Sequence, residues 1–374
     1  MARETCRAAG VQGDPVGRQE ISRYETGKRN PREWLSFIAT ALGVSVEELR
    51  SMNSSPDSHP GDTSLRMLND ARGDEYAEAI RSVSRHLIVL DNQTNGLPIA
   101  EMAARAFKKV HRRLGAGAYE QKYERDILAA AAELAEIAGW ALFNAGEFEA
   151  SRRFNQEALF LARLAGDRSM ELLVLQNMGM LAGWVGRPRE ELLIARSVMG
   201  QERLTPRIES MFRAREAQAL ARVGQEAQAA LTFRRARSLL EESTPDNMPA
   251  WAWWITKSEI DRQQGRALHE TGQWREAIPI LRQAMDPRSE AQVGYRNVAS
   301  VRLLACLLAV KDWRAAEQET EEIIPAVGEM SSIVSLKLLG STAAKGAATT
   351  DAPSSLRDGL HQISVAINED PYTF

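Results

Sequence analysis

Residues 139–148 read Gly-Trp-Ala-Leu-Phe-Asn-Ala-Gly-Glu-Phe, and the pair Ala158-Leu159 follows further along the chain. The first glycine lies inside an apolar stretch with helical spacing, and the second stands seven residues later, where a turn is expected. Because glycine has no Cβ, the first position allows two helices to approach closely. The aromatic residue after the turn is expected to pack against the next pair of helices. The stretch therefore predicts a hairpin of two helices with its turn at Gly146.

The same frame recurs four more times. The pairs of positions that carry it are Gly179 with Gly186, Ala217 with Gly224, Gly265 with Gly272 and, more weakly, Lys311 with Trp313. The pattern resembles the tetratricopeptide repeat, in which each repeat is one helical hairpin. The turn positions 146, 186, 224, 272 and 311 are 38 to 48 residues apart, whereas a standard repeat has about 34 residues. We therefore expect five or six elongated hairpins in a right-handed superhelix, with residues 74–114 as an N-terminal hairpin.

Composition sets the class and the domain organisation. The chain has 374 residues, of which 44% are hydrophobic and 26% charged, which fits a soluble protein of two or more domains. Strand patterns are almost absent, so the fold class is expected to be all-α. No apolar run approaches the length of about 20 residues that spans a bilayer, and no signal peptide opens the chain. The predicted organisation is a first domain at 1–51, a linker at 52–64, a repeat domain at 65–340, and a C-terminal region at 341–374. This last region is expected to hold a linker (340–354) and a short helix (356–367) that either caps the last repeat or packs onto a partner subunit.

The first domain contains the stretch VGRQEISRYETGKRNPREWLSFIATALGVSVEEL at residues 16–49. Gly27 is suited to end one helix, and Asn30 followed by Pro31 is a typical start of the next. Three short helices with tight connections are therefore expected. The residues resemble the helix-turn-helix domain of the Cro/C1 (XRE-type) repressors, most closely at 21–31 and 41–49.

This resemblance implies that the first domain binds DNA. In that family the segment equivalent to 16–25 is the recognition helix, which lies in the major groove. Arginine and glutamine each present two hydrogen-bonding groups to a base edge, and basic residues after the helix contact phosphates. Carried over position by position, the DNA-binding residues are Arg18, Gln19, Ser22, Arg23, Lys28 and Arg29. The alternative is that these side chains form a solvated face of an ordinary helical bundle.

Charge and length bear on this prediction in different ways. The net charge of -3 argues against a protein coated in nucleic acid, but residues 18–32 hold five basic and two acidic side chains, and the local charge is the relevant one. Members of the family have two helices before the recognition helix, whereas here only residues 2–9 precede the turn. The first helix is therefore expected to be missing, which leaves DNA binding by this chain open.

Three further stretches, 85–93, 165–172 and 249–254, resemble a group of bacterial regulators that fuse an XRE-type head to a tetratricopeptide-like sensor. The architecture also resembles quorum-sensing regulators with a peptide-binding repeat body. These resemblances imply a double-stranded DNA operator, a homodimer, and a peptide, small-molecule or protein effector.

The effector groove is expected along the first helices of the hairpins. The candidate groove residues are Trp140, Asn144, Gln176, Asn177, Trp184, Arg215, Gln218, Arg222, Arg262 and Arg266. Asparagine and glutamine pair with peptide amides as donor and acceptor, and arginine pairs with a terminal carboxylate. The alternative is that these polar residues merely solvate the inner wall. Trp251, Trp253 and Trp254 begin a predicted helix that runs to about Thr271; they are expected to pack between hairpins, with an aromatic pocket or a dimer contact as alternatives.

Catalytic chemistry has little support. The five histidines are scattered without metal-ligand spacing, and neither a nucleophile elbow nor a phosphate loop is present. Cys6 and Cys306 lie in separate predicted domains, which predicts a reducing, cytoplasmic location without a disulfide framework. No catalytic residue, metal or cofactor is predicted.

Two hypotheses follow from the sequence. The first is a DNA-binding transcriptional regulator whose repeat domain dimerises or senses an effector. The second is a tetratricopeptide scaffold for protein–protein interactions with a head that does not bind DNA.

Overall fold

The computed structural model describes residues 68–368, except residues 70, 74, 92–96, 202, 245–247, 287–292 and 331. Within these residues the chain forms α-helices and short 3-10 helices and no strand. The α-helices are α1 (Glu75–Asp91), α2 (Leu97–Gly115), α3 (Glu124–Asn144), α4 (Phe148–Ala165), α5 (Arg168–Trp184), α6 (Pro188–Gln201), α7 (Pro206–Arg222), α8 (Glu226–Glu241), α9 (Lys257–Glu270), α10 (Trp274–Ala284), α11 (Val293–Val310), α12 (Trp313–Ile323), α13 (Ile333–Ala347) and α14 (Ser354–Asn368). The 3-10 helices are Gln121–Tyr123, Ala250–Trp254 and Ile324–Glu329.

From α3 onward the helices pack in consecutive pairs: α3 with α4, α5 with α6, α7 with α8, α9 with α10, α11 with α12, and α13 with α14. The first helices of neighbouring pairs also contact each other along the whole series, and α1 and α2 both pack on α3. This is the arrangement of a tetratricopeptide-like helical solenoid. The predicted all-α solenoid is therefore confirmed.

The five predicted turns adopt a left-handed backbone. The glycines at 146, 186, 224 and 272 have φ between 76° and 82°, and Lys311 has φ 62°. In every turn the following residue donates its backbone N–H to a carbonyl five residues back, as Glu147 does to Leu142 at 2.9 Å. This bond is part of the Schellman motif, which satisfies carbonyls at the end of a helix. Each turn therefore reverses the chain directly into the second helix of its hairpin.

The small residues in the first helices allow the close approach that the sequence predicts. A Cβ added at Gly139 would lie 2.7 Å from Asn155 Nδ2, and one added at Gly265 would lie 2.5 Å from Leu281 Cδ2. Each neighbour belongs to the second helix of the same hairpin. A larger residue at either position would have to displace the side chain of the second helix that it meets, so these two positions favour glycine.

The C-terminal region differs from the prediction. The linker expected at 340–354 is wrong for its first half, because α13 continues to Ala347. The small residues in this part of α13 leave room for neighbouring helices. A Cβ at Gly346 would meet side-chain atoms of Leu360 at 2.6 Å and of Leu308 at 2.8 Å. A lack of bulky apolar residues here reflects close helix packing. The predicted helix at 356–367 is confirmed by α14.

A second difference concerns the tryptophans. Residues 250–254 form a 3-10 helix, and α9 begins only at Lys257. The Thr256 hydroxyl accepts a hydrogen bond from the Glu259 N–H at 3.3 Å and caps the N-terminus of α9. Such a cap fixes the start of a helix. The single long helix expected from Trp251 to Thr271 is therefore wrong.

Residues 1–51 and 52–64, with the predicted DNA-binding head and its linker, lie outside the described residues. Of the helices that are described, none combines the length and the apolar character needed to cross a membrane.

Substitutions at two of the left-handed turns should change the free energy of unfolding in opposite directions. Gly272→Ala should lower the free energy of unfolding by about 1 kcal/mol, because an L side chain is strained at this φ. Lys311→Gly should raise it by up to about 1 kcal/mol, since it relieves the same strain at some cost in chain entropy. Urea unfolding of both variants measures the two changes. A loss of stability in Lys311→Gly as large as that in Gly272→Ala would contradict the turn geometry.

Candidate functional site

A cavity of about 260 Å³ opens on the inner face, the side of the solenoid formed by the first helices. We refer to it as the inner cavity. It is bounded by α1, α2, α3, α5, α7, the 3-10 helix at 250–254 and the start of α9. Its lining residues are Ile88, Ile99, Glu136, Ile137, Trp140, Ala141, Leu173, Gln176, Asn177, Met180, Arg215, Trp251, Trp253, Trp254 and Glu259.

Helical spacing explains why α3 and α5 supply most of the lining. Glu136 and Trp140 are four residues apart on α3, and Leu173, Gln176 and Met180 follow the same spacing on α5. Residues three or four apart share one face of a helix. Because the first helices lie side by side, these faces meet at the inner cavity.

The tryptophan segment, residues 250–254, forms one wall. It is anchored by Ala252 and by the adjoining Ile255, both completely buried. The Trp251 indole donates its Nε1–H to the Ser169 hydroxyl at 3.0 Å, and its ring lies 6.4 Å from that of Trp254. Trp253 keeps 48% of its surface exposed. Trp251 and Trp254 therefore pack between hairpins, as expected, and all three tryptophans also line a pocket.

A chain of hydrogen bonds crosses the floor of the cavity. Arg215 donates from Nε and Nη2 to Gln176 Oε1 at 3.0 and 2.7 Å. Gln176 donates to Asn177 Oδ1 at 2.9 Å, and Asn177 donates to Glu136 Oε1 at 2.7 Å. Arg215, Gln176 and Asn177 are all buried. The interpretation that these polar residues only solvate the inner wall is therefore wrong for them, because they bond to one another.

The Arg215 guanidinium is a cation in a buried setting. Burial lowers the pKa of Arg215 to about 10, an effect that the carboxylates of Glu191 and Glu259 partly oppose. The group is thus still protonated at neutral pH. Among the described residues, no carboxylate oxygen lies within 4.0 Å of it; Glu191 pairs with Arg222 at 2.6 Å and Glu259 pairs with Arg262.

Glu136, at the other end of the chain of bonds, holds its proton more strongly than an ordinary carboxyl. Burial raises the pKa of Glu136 to about 7, against the hydrogen bond from Asn177, which lowers it; the nearby Glu133 adds a smaller increase. Loss of solvation always disfavours the charged form. A substantial share of Glu136 is therefore neutral near pH 7.

The remaining arginines of the inner face belong to a separate cluster, the closed network, made of Glu191, Arg222, Arg266, Glu270, Arg302 and Trp184. Arg222 binds Glu191 and Glu270 at 2.6 Å each, and Arg266 binds Glu270 at 2.7 Å. Burial would raise the pKa of Glu270, but the arginines outweigh it and lower the value to about 2. Both carboxylates of the network are thus bound by arginines within the fold.

The closed network also includes the Trp184 ring. The guanidinium of Arg266 lies 4.4 Å from the ring centroid and that of Arg302 lies 5.5 Å from it. Nearby, Val334 of α13 is buried with Phe143 and Leu181, so the last hairpin packs against the first two. Chain packing therefore covers this end of the inner face, whereas the inner cavity remains accessible.

The predicted groove residues divide between these two places. Trp140, Gln176, Asn177 and Arg215 line the inner cavity, whereas Arg222, Arg266 and Trp184 belong to the closed network. Arg262 pairs with Glu259, a lining residue. Gln218 is completely buried on α7, and neither atom of its amide group has a hydrogen-bond partner among the described residues. Asn144 is partly buried at the end of α3, outside the cavity.

Two lining carboxyls escaped the sequence analysis, Glu136 and Glu259. Each stands one helical turn before a predicted groove residue, Trp140 and Arg262 respectively. That spacing is the signal that could have found them. The predicted DNA-binding residues at positions 18, 19, 22, 23, 28 and 29 lie outside the described residues.

Comparisons with known proteins add little to this geometry. No family model matches the chain, and no curated protein matches it. Solved structures do match, among them the crystal structure of the P58(IPK) TPR domain, with 11% sequence identity, 94% of this chain and 97% of that chain covered, and a TM-score of 0.23. A likeness at this TM-score carries no argument, so the solenoid rests on the helix packing described above.

The raised pKa of Glu136 predicts a specific pH dependence of stability. Between about pH 4.5, its ordinary pKa, and about 7, the folded chain holds a proton that the unfolded chain has lost. Its contribution to stability therefore falls as the pH rises through this window. Glu136→Gln should remove this component and flatten the profile. Urea unfolding from pH 5 to 8 measures it, with the exposed Glu276→Gln as control; equal profiles in both variants would contradict the assignment.

Proposed function

We propose that the helical body is a binding module that holds a ligand in the inner cavity, and that the N-terminal domain binds DNA in response to it. The observation that carries the proposal is the convergence of Trp140, Gln176, Asn177 and Arg215 on one cavity. The repeat frame predicts these residues to lie on the inner face, and they come from three different hairpins.

The character of the cavity supports a ligand site. Most of its lining is aliphatic or aromatic, and a few polar groups converge at the floor. Ligand pockets in proteins have this composition, in which apolar surface supplies affinity and a few polar groups fix orientation. The amide groups of Gln176 and Asn177 each keep one N–H that the chain of hydrogen bonds does not use, which suits a peptide carbonyl. A short peptide segment is therefore the occupant that we propose.

A response to the ligand requires that it change the affinity of a second site. In the proposed mechanism the protein is a homodimer, and the ligand alters the spacing of its two DNA-binding heads. Half-site spacing then converts occupancy into operator affinity. Arg18, Gln19 and Arg23, from the resemblance to the XRE-type head, are the residues proposed to contact bases.

A second candidate is a scaffold for protein–protein interactions whose head does not bind DNA. The tetratricopeptide-like solenoid favours it, because stacked hairpins present an extended binding surface whatever the head does. The two candidates share the binding module and differ only in DNA binding.

Peptide binding is tested with the full chain on an array of random short peptides. Asn177→Ala should lower the affinity for the peptides that bind by about tenfold, since it removes one oriented hydrogen-bonding group. This loss is equivalent to roughly 1.4 kcal/mol. Asn144→Ala is the matched control, because Asn144 is an asparagine on a first helix outside the cavity. Equal losses in both variants, or none in Asn177→Ala, would place the peptide elsewhere.

DNA binding is tested by selecting duplexes from a randomised pool with the full chain. The regulator proposal predicts one enriched sequence, an affinity that falls steeply with salt, and loss of that affinity when Arg18 and Arg23 are both replaced by alanine. Adding a bound peptide should change the affinity. A pool without enrichment, together with peptide binding, supports the scaffold instead.

A further inference from the structure

Arg215 differs from the other arginines of the inner face in its partners. Arg222, Arg262, Arg266 and Arg302 each lie within 4.0 Å of at least one carboxylate. For Arg215, the hydrogen-bond partner given by the described residues is the neutral amide of Gln176. Yet Arg215 is 4% exposed, so water screens its charge poorly. A buried cation with only a neutral partner costs free energy that an anion would recover.

The carboxylates nearest to Arg215 do not fill this role. Glu191 is held by Arg222, and Glu259 is held by Arg262 and also accepts a hydrogen bond from Gln263 at 2.8 Å. Glu136 is separated from Arg215 by Gln176 and Asn177 in the chain of hydrogen bonds. The charge of Arg215 therefore faces a cavity and lacks a counter-ion of its own in the described part of the protein.

We infer that the ligand of the inner cavity carries a carboxylate, which pairs with the Arg215 guanidinium while the apolar part of the ligand packs on the indoles of the tryptophan segment. The inference rests on the proposed function, because it requires that the cavity be a binding site. Guanidinium and carboxylate match in shape, since the planar fork of arginine presents parallel N–H groups to two oxygens.

The size of the cavity restricts the ligand. A volume of about 260 Å³ lies just below the range of about 300 to 1,000 Å³ for typical ligand pockets. It suits one aromatic or aliphatic group with an attached carboxylate. Two sources share this chemistry, the C-terminal residue of a peptide and a free aryl-alkanoic acid, and the experiment below separates them.

The ligand carboxylate should sense the protonation of Glu136. Besides Asn177, which donates to Glu136, the charged group that contributes to its environment is Glu133. When Glu136 ionises, it adds a negative charge to the wall of the cavity and repels a carboxylate. Binding of a carboxylate should therefore be tighter at pH 6 than at pH 8, and Glu136→Gln should remove this difference.

Isothermal titration of the full chain with two matched pairs of probes tests the inference. The first pair is 4-phenylbutyrate and 4-phenylbutanamide, and the second is a peptide from the array with a free or an amidated C-terminus. The acid of at least one pair should bind about ten- to hundredfold more tightly than its amide, as expected for hydrogen bonds between charged groups. Preference within the first pair alone indicates a free acid, and preference within the second indicates a peptide C-terminus.

Three variants assign the preference to Arg215. Arg215→Met should abolish it, and Arg215→Lys, which keeps the charge and loses the fork, should retain part of it. Arg213→Met is the control, since Arg213 lies on the same helix outside the cavity and pairs with Glu209 and Glu216; it should keep the preference. If Arg215→Met does not fold, Arg215→Lys and the pH dependence decide.

The outcomes separate this inference from the proposed function. Equal affinities for acid and amide in both pairs, or a preference that persists in Arg215→Met, would overturn the inference. In that case, peptide binding that is weakened by Asn177→Ala would still support the proposed function. If no free acid binds and the array yields no peptide, both are overturned.

Discussion

The left-handed turn that ends the first helix in five of the six hairpins from α3 onward is the constraint on which the rest of the structure depends. It reverses the chain in two or three residues, so the second helix packs directly against the first and the next hairpin can stack beside it. Glycine supplies this conformation at positions 146, 186, 224 and 272, and Lys311 adopts it at the fifth turn. Because every first helix then faces the same side, side chains from hairpins far apart in sequence converge there. The inner cavity and the closed network both follow from this repetition.

One irregularity in the repetition produces the distinctive part of the site. The turns at 224 and 272 are the pair with the widest separation, 48 residues. The additional residues include the tryptophan segment at 250–254, which is anchored by Ala252 and Ile255 and closes one side of the cavity. The inner face is thus divided in two. At one end arginines and carboxylates pair with each other beneath the last hairpin. At the other end Arg215 faces an aromatic-walled cavity without a carboxylate within 4.0 Å among the described residues.

Much of the fold was predictable because its signals are local. Glycine at a turn and a small residue such as Gly265 in a helix act through backbone geometry, which a sequence displays directly. The partners of the polar residues were not predictable. The hydrogen bond from Asn177 to Glu136 depends on the distance between α5 and α3, which are neighbours in space but have α4 between them in the sequence. The same limit explains the error at α13. Gly346 resembles a linker residue in sequence, yet it is required by contact with Leu308 and Leu360. Burial is a property of the packed structure and cannot be read from the sequence. The raised pKa of Glu136 and the absence of a paired carboxylate at Arg215 among the described residues are therefore not visible in the sequence either.

The central claim is that the inner cavity, rather than the outer face of the second helices, receives the ligand. Hydrogen–deuterium exchange of the full chain, with and without a peptide selected by it, measures this directly. The account predicts slower exchange at the backbone amides of Ala252 and Ile255 in the tryptophan segment, and unchanged exchange along α8, a second helix outside the cavity. Protection of α8 with no change at the tryptophan segment would contradict it.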